Sequence, residues 1–394
     1  MRKKLRIGVM GVDRGNFMLR AAAVLSDEME LTAICETNDS TIEKVKELLS
    51  DDTKIYKDFD EFIHSGLDGV LLSNYFHEHA KYAIKAMEAG VAVLSETTAA
   101  PSLGECVDLV EAYEKYNGRY MLAANCLYFQ PLTGIMEKLK TNEYGPVVYA
   151  EAEYIHTPHP DAIPKEPDKN NLHWRNTLPS CYYNMHTLAP LMYITKTEPK
   201  KVLCKAVVLE REGRLNNTPK TFTLTEMDNG AVFNTTGCAG TGTDSKWYRV
   251  ACQKGTYESE RYDYHFEPLR SMGHSVQQTG ISYPDWEWGE GVTDEQKADY
   301  RKKLVSIGHG GIDFFVVLNF LRYLRGEIEP YFDVYRSVMV SAVGILSWYS
   351  VLNDSKQYDV PDFRTKEARE EHRGDYRMPF GKTYGELTLP CRVD

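Results

Sequence analysis

A few side chains stand where their types and spacing could do chemistry. Tyr183 and His186 are three residues apart, which on a helix puts a phenol and an imidazole one turn from each other. Imidazole titrates near neutral pH. His186 could therefore take the proton of a hydroxyl while the hydrogen on the same carbon leaves as hydride. An interior histidine held by a backbone carbonyl is the plainer alternative. His309 follows Gly308 and precedes Gly310 and Gly311, a setting for close ligand approach or for capping the helix that begins there. Two acidic residues, Glu36 and Glu96, each end a short β-branched run, and Glu96 is followed by Thr97 and Thr98. No metal site is expected. His77 and His79 do not share a helix face, and no carboxylate spacing completes a zinc set.

These residues need a scaffold, and the first third of the chain supplies a recognisable one. Runs at Leu5–Met10, Leu31–Cys35, Lys54–Tyr56, Gly69–Ser73, Val91–Leu94 and Tyr120–Ala124 alternate with helical periods. That rhythm predicts an α/β domain, a doubly wound parallel sheet of the Rossmann type. After Asn125 strands cluster: Val147–Ile155, Lys201–Leu209, Thr221–Glu226, Ala231–Thr236, Trp247–Cys252 and Gly255–Glu260. Cys181–Ile194 reads as one helix, 265–300 as irregular, and His309–Arg325 and Pro330–Val351 as two closing helices before a polar tail. An α+β domain with a large mixed or antiparallel sheet is expected there. The proposed division is 1–125 for the first domain and 126–394 for the second.

Strand one runs into Gly11-Val12-Asp13-Arg14-Gly15. Gly11 and Gly15 fit the tight turn and the helix–strand contact of a dinucleotide loop, although the spacing is one residue short of the usual pattern. Asp13 stands near the middle-glycine position, where a carboxylate is tolerable only if it turns away or Arg14 offsets it. Glu36 ends the second strand, where an acid accepts hydrogen bonds from ribose hydroxyls and repels a 2′-phosphate. Thr37 and Asn38 bring no cation, so NAD is expected over NADP.

The totals narrow the partners. The 394 residues are 42% hydrophobic and 26% charged, with a formal charge of -11 and no basic block, which argues against nucleic acid. No run approaches the ~20 apolar residues of a membrane span. Eight scattered cysteines without a Cys-x-x-Cys pair suggest reduced thiols in a cytoplasmic protein. The aromatics Tyr283, Trp286 and Trp288 could stack on sugar rings or form a satellite core.

Between 67 and 110 the order of features resembles the Gfo/Idh/MocA family of NAD(P)-dependent oxidoreductases. Ser73-Asn74-Tyr75 stands at the strand end, His79 follows, then Glu88-Ala89-Gly90, a strand, and Glu96-Thr97-Thr98 in place of the family's Glu-Lys-Pro. The family lysine is Thr97 here, and a later family aspartate is Ala189. Tyr183-x-x-His186, the Trp174-Arg175 pair and the His309-Gly-Gly-x-Asp313 element are similar to the branch that holds redox-neutral, NAD-dependent glycosidases of the α-N-acetylgalactosaminidase type. The resemblance implies a cofactor set of Gly11, Asp13, Arg14, Gly15, Glu36, Asn74, His79, Glu96, Thr97 and Asn125. It implies His186, Tyr183 and His309 as catalytic groups and Trp174, Arg175 and Asp313 as substrate contacts. A small-molecule carbohydrate would be the substrate, and a homo-oligomer the assembly. The reaction would be oxidation of a sugar or glycoside hydroxyl, at C3. In a redox-neutral alternative, that oxidation acidifies the C2 proton, the C1 substituent leaves, water adds and the ketone is reduced again. A third possibility is a non-catalytic, NAD-binding regulatory protein.

Overall fold

The computed structural model describes residues 3–156, 174, 177–208, 220–239, 245–259, 270–271, 288 and 292–380. Contacts gather the chain into two compact units that interleave along the sequence. One unit holds Met1–Ala100, Glu105–Tyr128 and Trp286–Val338, and the other Pro101–Gly104, Phe129–Asp285 and Met339–Asp394.

The first unit is built on β1 (Leu5–Met10), β2 (Met29–Cys35), β3 (Lys54–Tyr56), β4 (Gly69–Leu72), β5 (Ala92–Ser95) and β6 (Tyr120–Leu122). All pair in parallel in the order β3-β2-β1-β4-β5-β6. Strands β4 and β5 are buried along their whole length, as expected where helices cover both faces of a parallel sheet. The connecting helices are α1 (Asn16–Val24), α2 (Asp39–Val45), α3 (Phe59–Ile63), α4 (His79–Glu88) and α5 (Leu103–Lys115). Ordering from β1 outward in both directions creates a switch point between β1 and β4, where doubly wound sheets bind their ligands.

The second unit holds α6 (Gln130–Lys140), α7 (Leu188–Thr195) and a sheet of β7 (Val147–His156), β8 (Pro199–Val207), β9 (Lys220–Met227), β10 (Val232–Ala239), β11 (Ser245–Cys252), β12 (Gly255–Glu258), β13 (Arg270–Ser271) and β14 (Tyr358–Asp359). Its order is β13-β12-β11-β7-β10-β9-β8-β14. The pair β7–β10 is parallel and its neighbours are antiparallel, so the sheet is mixed. Strand β9 alternates, with Thr221, Thr223 and Thr225 buried and Phe222 and Leu224 exposed.

Several elements differ from the sequence reading. Where the spacing predicts one helix over 181–194, the chain forms a tight helical turn, Ser180–His186, followed by α7. From the end of the irregular stretch runs α8 (Asp294–Lys303), opened by a Thr293–Gln296 capping box that satisfies two otherwise unpaired amides. The two closing helices are α9 (Ile312–Leu324) and α10 (Val334–Leu352), and the polar tail contains α11 (Lys366–His372). Helix α9 is apolar nearly all round. Its Phe314, Phe315 and Phe320 join Ile7, Val9, Leu71 and Leu94 in the core of the first unit, each ring contributing about 2–3 kcal/mol of burial. Trp288 is buried in that core, its ring 5.3 Å from Phe315 and 6.2 Å from Tyr300. It is a packing residue, not a sugar platform. Tyr283 and Trp286 lie outside the described residues. Among the described residues no helix is long and apolar enough to cross a membrane.

Candidate functional site

The glycine turn sits at the switch point. Gly11 has φ of 80°, a conformation that favours glycine, and a Cβ on it would stand 2.6 Å from the Ser73 carbonyl oxygen at the end of β4. Gly15 opens α1 with ordinary dihedrals, but a Cβ there would lie 2.5 Å from Ser73 Oγ. Space, not conformation, requires that glycine. Ser73 Oγ donates to the carbonyls of Met10 and Gly11 at 2.9 and 2.8 Å, pinning the turn. Glu36 holds the neighbouring strand end. Its carboxylate accepts from the Val12 amide at 3.3 Å and the Asn38 amide at 3.0 Å. Asp13 turns its side chain to solvent, and its carbonyl accepts from Asn16.

Arg14 does not offset Asp13. Its guanidinium spans two buried carboxylates, 2.5 Å from Glu96 and 3.5 Å from Asp313, and lies over the Phe17 ring. Asp313, in the first turn of α9 and 1% exposed, also accepts from Asn125 Nδ2 at 2.8 Å and meets His309 Nδ1 at 2.7 Å. Burial acts on both acids, with different outcomes. For Glu96 it prevails over the Arg14 charge and raises the pKa, reinforced by Asp313. For Asp313 the His309 hydrogen bond, Arg14 and Asn125 outweigh burial and hold the carboxyl below its usual value. Asp313 is thus the acid that ionises first. His309 does not cap α9, whose N-cap is Gly311 without a side-chain bond. It adopts a left-handed φ of 44° and remains half exposed.

The remaining cofactor candidates line the same carboxyl edge. Asn74 Oδ1 and Thr97 Oγ1 are buried without a hydrogen-bond partner among the described residues. Buried polar atoms are rarely left so, and a nicotinamide riboside carries the hydroxyls and amide that would satisfy them. His79 differs. It is fully buried at the start of α4, its Nδ1 3.0 Å from the Thr98 carbonyl, and burial lowers its pKa to about 4. It braces the loop after β5 as a neutral ring. The glycine turn, the Glu36 strand end and these unsatisfied atoms together fit a dinucleotide.

In the second unit, the turn Ser180–His186 carries Tyr183 and His186. The two do not share an α-helical face, because Tyr183 breaks the helical dihedrals at φ −93°, ψ 36°. Their rings still meet edge-on, centroids 4.9 Å apart. The turn is fixed along its length. Tyr182 OH donates to Pro101 O, Asn184 Nδ2 to Val340 O at 2.9 Å, and Tyr248 OH to the His186 carbonyl at 2.7 Å. Besides Tyr248, two further residues that no motif announces pack around this turn. Tyr154 of β7 places its ring 4.4 Å from the His186 ring, and Lys246, its register partner on β11, holds Nζ 5.4 Å from the Tyr154 ring. Only strand register reveals Tyr154 and Tyr248, since neither belongs to a motif. Trp174 accepts at its carbonyl from Thr177, and Arg175 lies outside the described residues.

A parallel sheet in this order, with a glycine turn at its switch point and an acid ending β2, defines an NAD-binding Rossmann domain. The family profiles agree. One described as oxidoreductase family, NAD-binding Rossmann fold (Gfo/Idh/MocA) matches residues 5–124, and one described as glycosyl hydrolase 109, C-terminal domain matches 244–369. The chain therefore joins a Gfo/Idh/MocA NAD-binding domain to a glycosyl hydrolase 109 C-terminal domain. A glycosyl hydrolase family 109 protein of Stenotrophomonas maltophilia is 24% identical over 92% of this chain and 89% of its own length. A protein of Shewanella oneidensis named alpha-N-acetylgalactosaminidase is 23% identical over 91% and 85%. Among solved structures, the WlbA dehydrogenase from Bordetella pertussis, in complex with NADH and UDP-GlcNAcA, superposes with a TM-score of 0.70 at 17% identity, covering 92% of this chain and 99% of that one. Levoglucosan dehydrogenase in complex with NADH gives 0.70 at 15% identity, covering 91% and 100%. These superpositions establish the shared fold.

Proposed function

We propose that this chain is an NAD-dependent enzyme that oxidises the C3 hydroxyl of a sugar or glycoside. His186 takes the hydroxyl proton, and Tyr183 shares its hydrogen-bond network. Bound NAD would supply the hydride acceptor, held by the Gly11–Gly15 turn, Glu36, Asn74 and Thr97. Asp313 acts through His309, fixing the imidazole at Nδ1, instead of contacting substrate. The reading rests on one observation above the others: an imidazole–phenol pair is held by ring contacts and by bonds to the backbone of its turn, in a chain that carries an NAD-binding domain. A rigid mount keeps a general base in register with the proton it removes. A cytoplasmic homo-oligomer completes the reading, and light scattering on the purified chain would give its mass.

The C-terminal match favours a second reading built on the same first step. Oxidation at C3 acidifies the C2 proton, a base removes it, the C1 substituent departs, water adds, and the ketone is reduced again, so the net reaction is hydrolysis. The name of the Shewanella oneidensis relative makes an α-N-acetylgalactosaminide the first substrate to try. Incubation with excess NAD and a panel of aryl glycosides separates the two. A dehydrogenase accumulates NADH. The neutral cycle releases aglycone without NADH and leaves solvent deuterium at C2. Neither outcome across the panel would sink both readings and leave a non-catalytic NAD-binding protein.

A further inference from the structure

Lys57 follows β3, and the register of the parallel sheet determines where it emerges. Cys35 faces Tyr56 across the β2–β3 pair, and the Glu36 amide donates to the Tyr56 carbonyl at 3.1 Å. Glu36 and Lys57 therefore leave adjacent strands side by side, and neighbouring strands lie ~4.8 Å apart. An ammonium thus stands beside the acidic strand end that serves the adenosine ribose. Local sequence hid this, because Thr37 and Asn38 bring no cation and Lys57 arrives from the next strand.

That ammonium is already engaged. Lys57 Nζ donates to the Thr37 carbonyl at 3.2 Å and pairs with Asp39 at 2.5 Å. Glu36 does not hold it, since its carboxylate oxygens accept from the Val12 and Asn38 amides. Asp39 has no capping duty, because Asn38 caps α2 with its own side chain. The adjoining Asp58 is committed to capping α3 through the amides of Asp60 and Glu61. Lys57 and Asp39 are both solvent-exposed, and an exposed ion pair adds little to stability. The pair therefore has little to do for the fold.

We propose that Asp39 is a cofactor-specificity residue. By holding Lys57 it withholds a cation from the 2′-phosphate of NADP, and so adds to the repulsion exerted by Glu36. An asparagine at this position would keep the size and leave the ammonium able to form a charge-assisted bond to phosphate.

The test is calorimetric titration of NAD and of NADP into wild-type protein, Asp39→Asn, Lys57→Ala and the double variant. Asp39→Asn is expected to tighten NADP about tenfold while changing NAD less than about threefold. Lys57→Ala alone should not tighten NADP, and the double variant should lose the gain. Retained NAD binding in every variant shows that each is folded. An NADP affinity unmoved by Asp39→Asn overturns the proposal. So does an equal gain in the double variant, which would mean that removing negative charge suffices without the lysine. Wild-type protein that binds neither dinucleotide would overturn the cofactor assignment and this proposal together.

Discussion

The two units hold their candidate residues in opposite ways. In the first, Arg14, Glu96, Asp313, Asn125 and His309 form a buried charged network in which each group is fixed by the next. In the second, Tyr183 and His186 are fixed by ring packing and by bonds to the backbone of their turn, such as that from Tyr248 OH. A charged network sets which groups ionise, because removing one member leaves another buried charge unmatched. A turn held through its backbone sets where a ring sits without dictating its protonation. The first arrangement suits binding a cofactor and positioning side chains around it, the second suits moving a proton.

The largest expected effect falls on the aromatic turn. His186→Ala should lower turnover about 1000-fold, with NAD affinity by calorimetry unchanged, and Tyr183→Phe should cost less. Unchanged turnover in His186→Ala would falsify the assignment of proton transfer to this turn. Next comes the charged network. Asp313→Ala removes one of the carboxylates that Arg14 spans and the carboxylate that meets His309 Nδ1, and should cost about 3–4 kcal/mol in urea unfolding. A loss below about 1 kcal/mol would mean that water replaces the network readily and that the contrast between the units is overstated.

A pH series sharpens the same contrast. His79 is neutral in the fold, its pKa lowered to about 4 from 6.5, so the unfolded chain takes up a proton first as pH falls. Stability should therefore decline from about pH 6.5 towards pH 4, by up to roughly 3 kcal/mol. His79→Gln, which keeps a donor for the Thr98 carbonyl, should flatten that slope in urea titrations across the range. The smallest effect is expected from Tyr248→Phe. Removing the hydroxyl that meets the His186 carbonyl should cost about 1 kcal/mol and slow turnover a few-fold without altering NAD affinity.

Much of the first unit is legible in the sequence. Its strands are short apolar runs separated by helical periods, and all six begin and end within two residues of the expected places, since burial on both faces of a parallel sheet leaves a continuous apolar signal. The second unit is read less well. The turn at Ser180–His186 looks helical because apolar spacing over 181–194 does not register the break at Tyr183. Nor does anything local announce that Trp286–Val338 packs with the first unit, because an apolar helix such as α9 is equally compatible with either core.

The sequence by itself determined the strand–helix alternation, the glycine turn, the acidic end of β2 and the Tyr183–His186 spacing. Each is a local pattern in which residue type and interval carry the physics. Tertiary structure alone decided which partner each charged group received. Arg14 went to Glu96 and Asp313, not to Asp13, and Lys57 came to lie beside Glu36 through strand register. Tyr154 and Tyr248 reached His186 from separate strands. Those pairings depend on which strand ends and helix starts converge in space, and residues far apart in the chain carry no local signal of meeting.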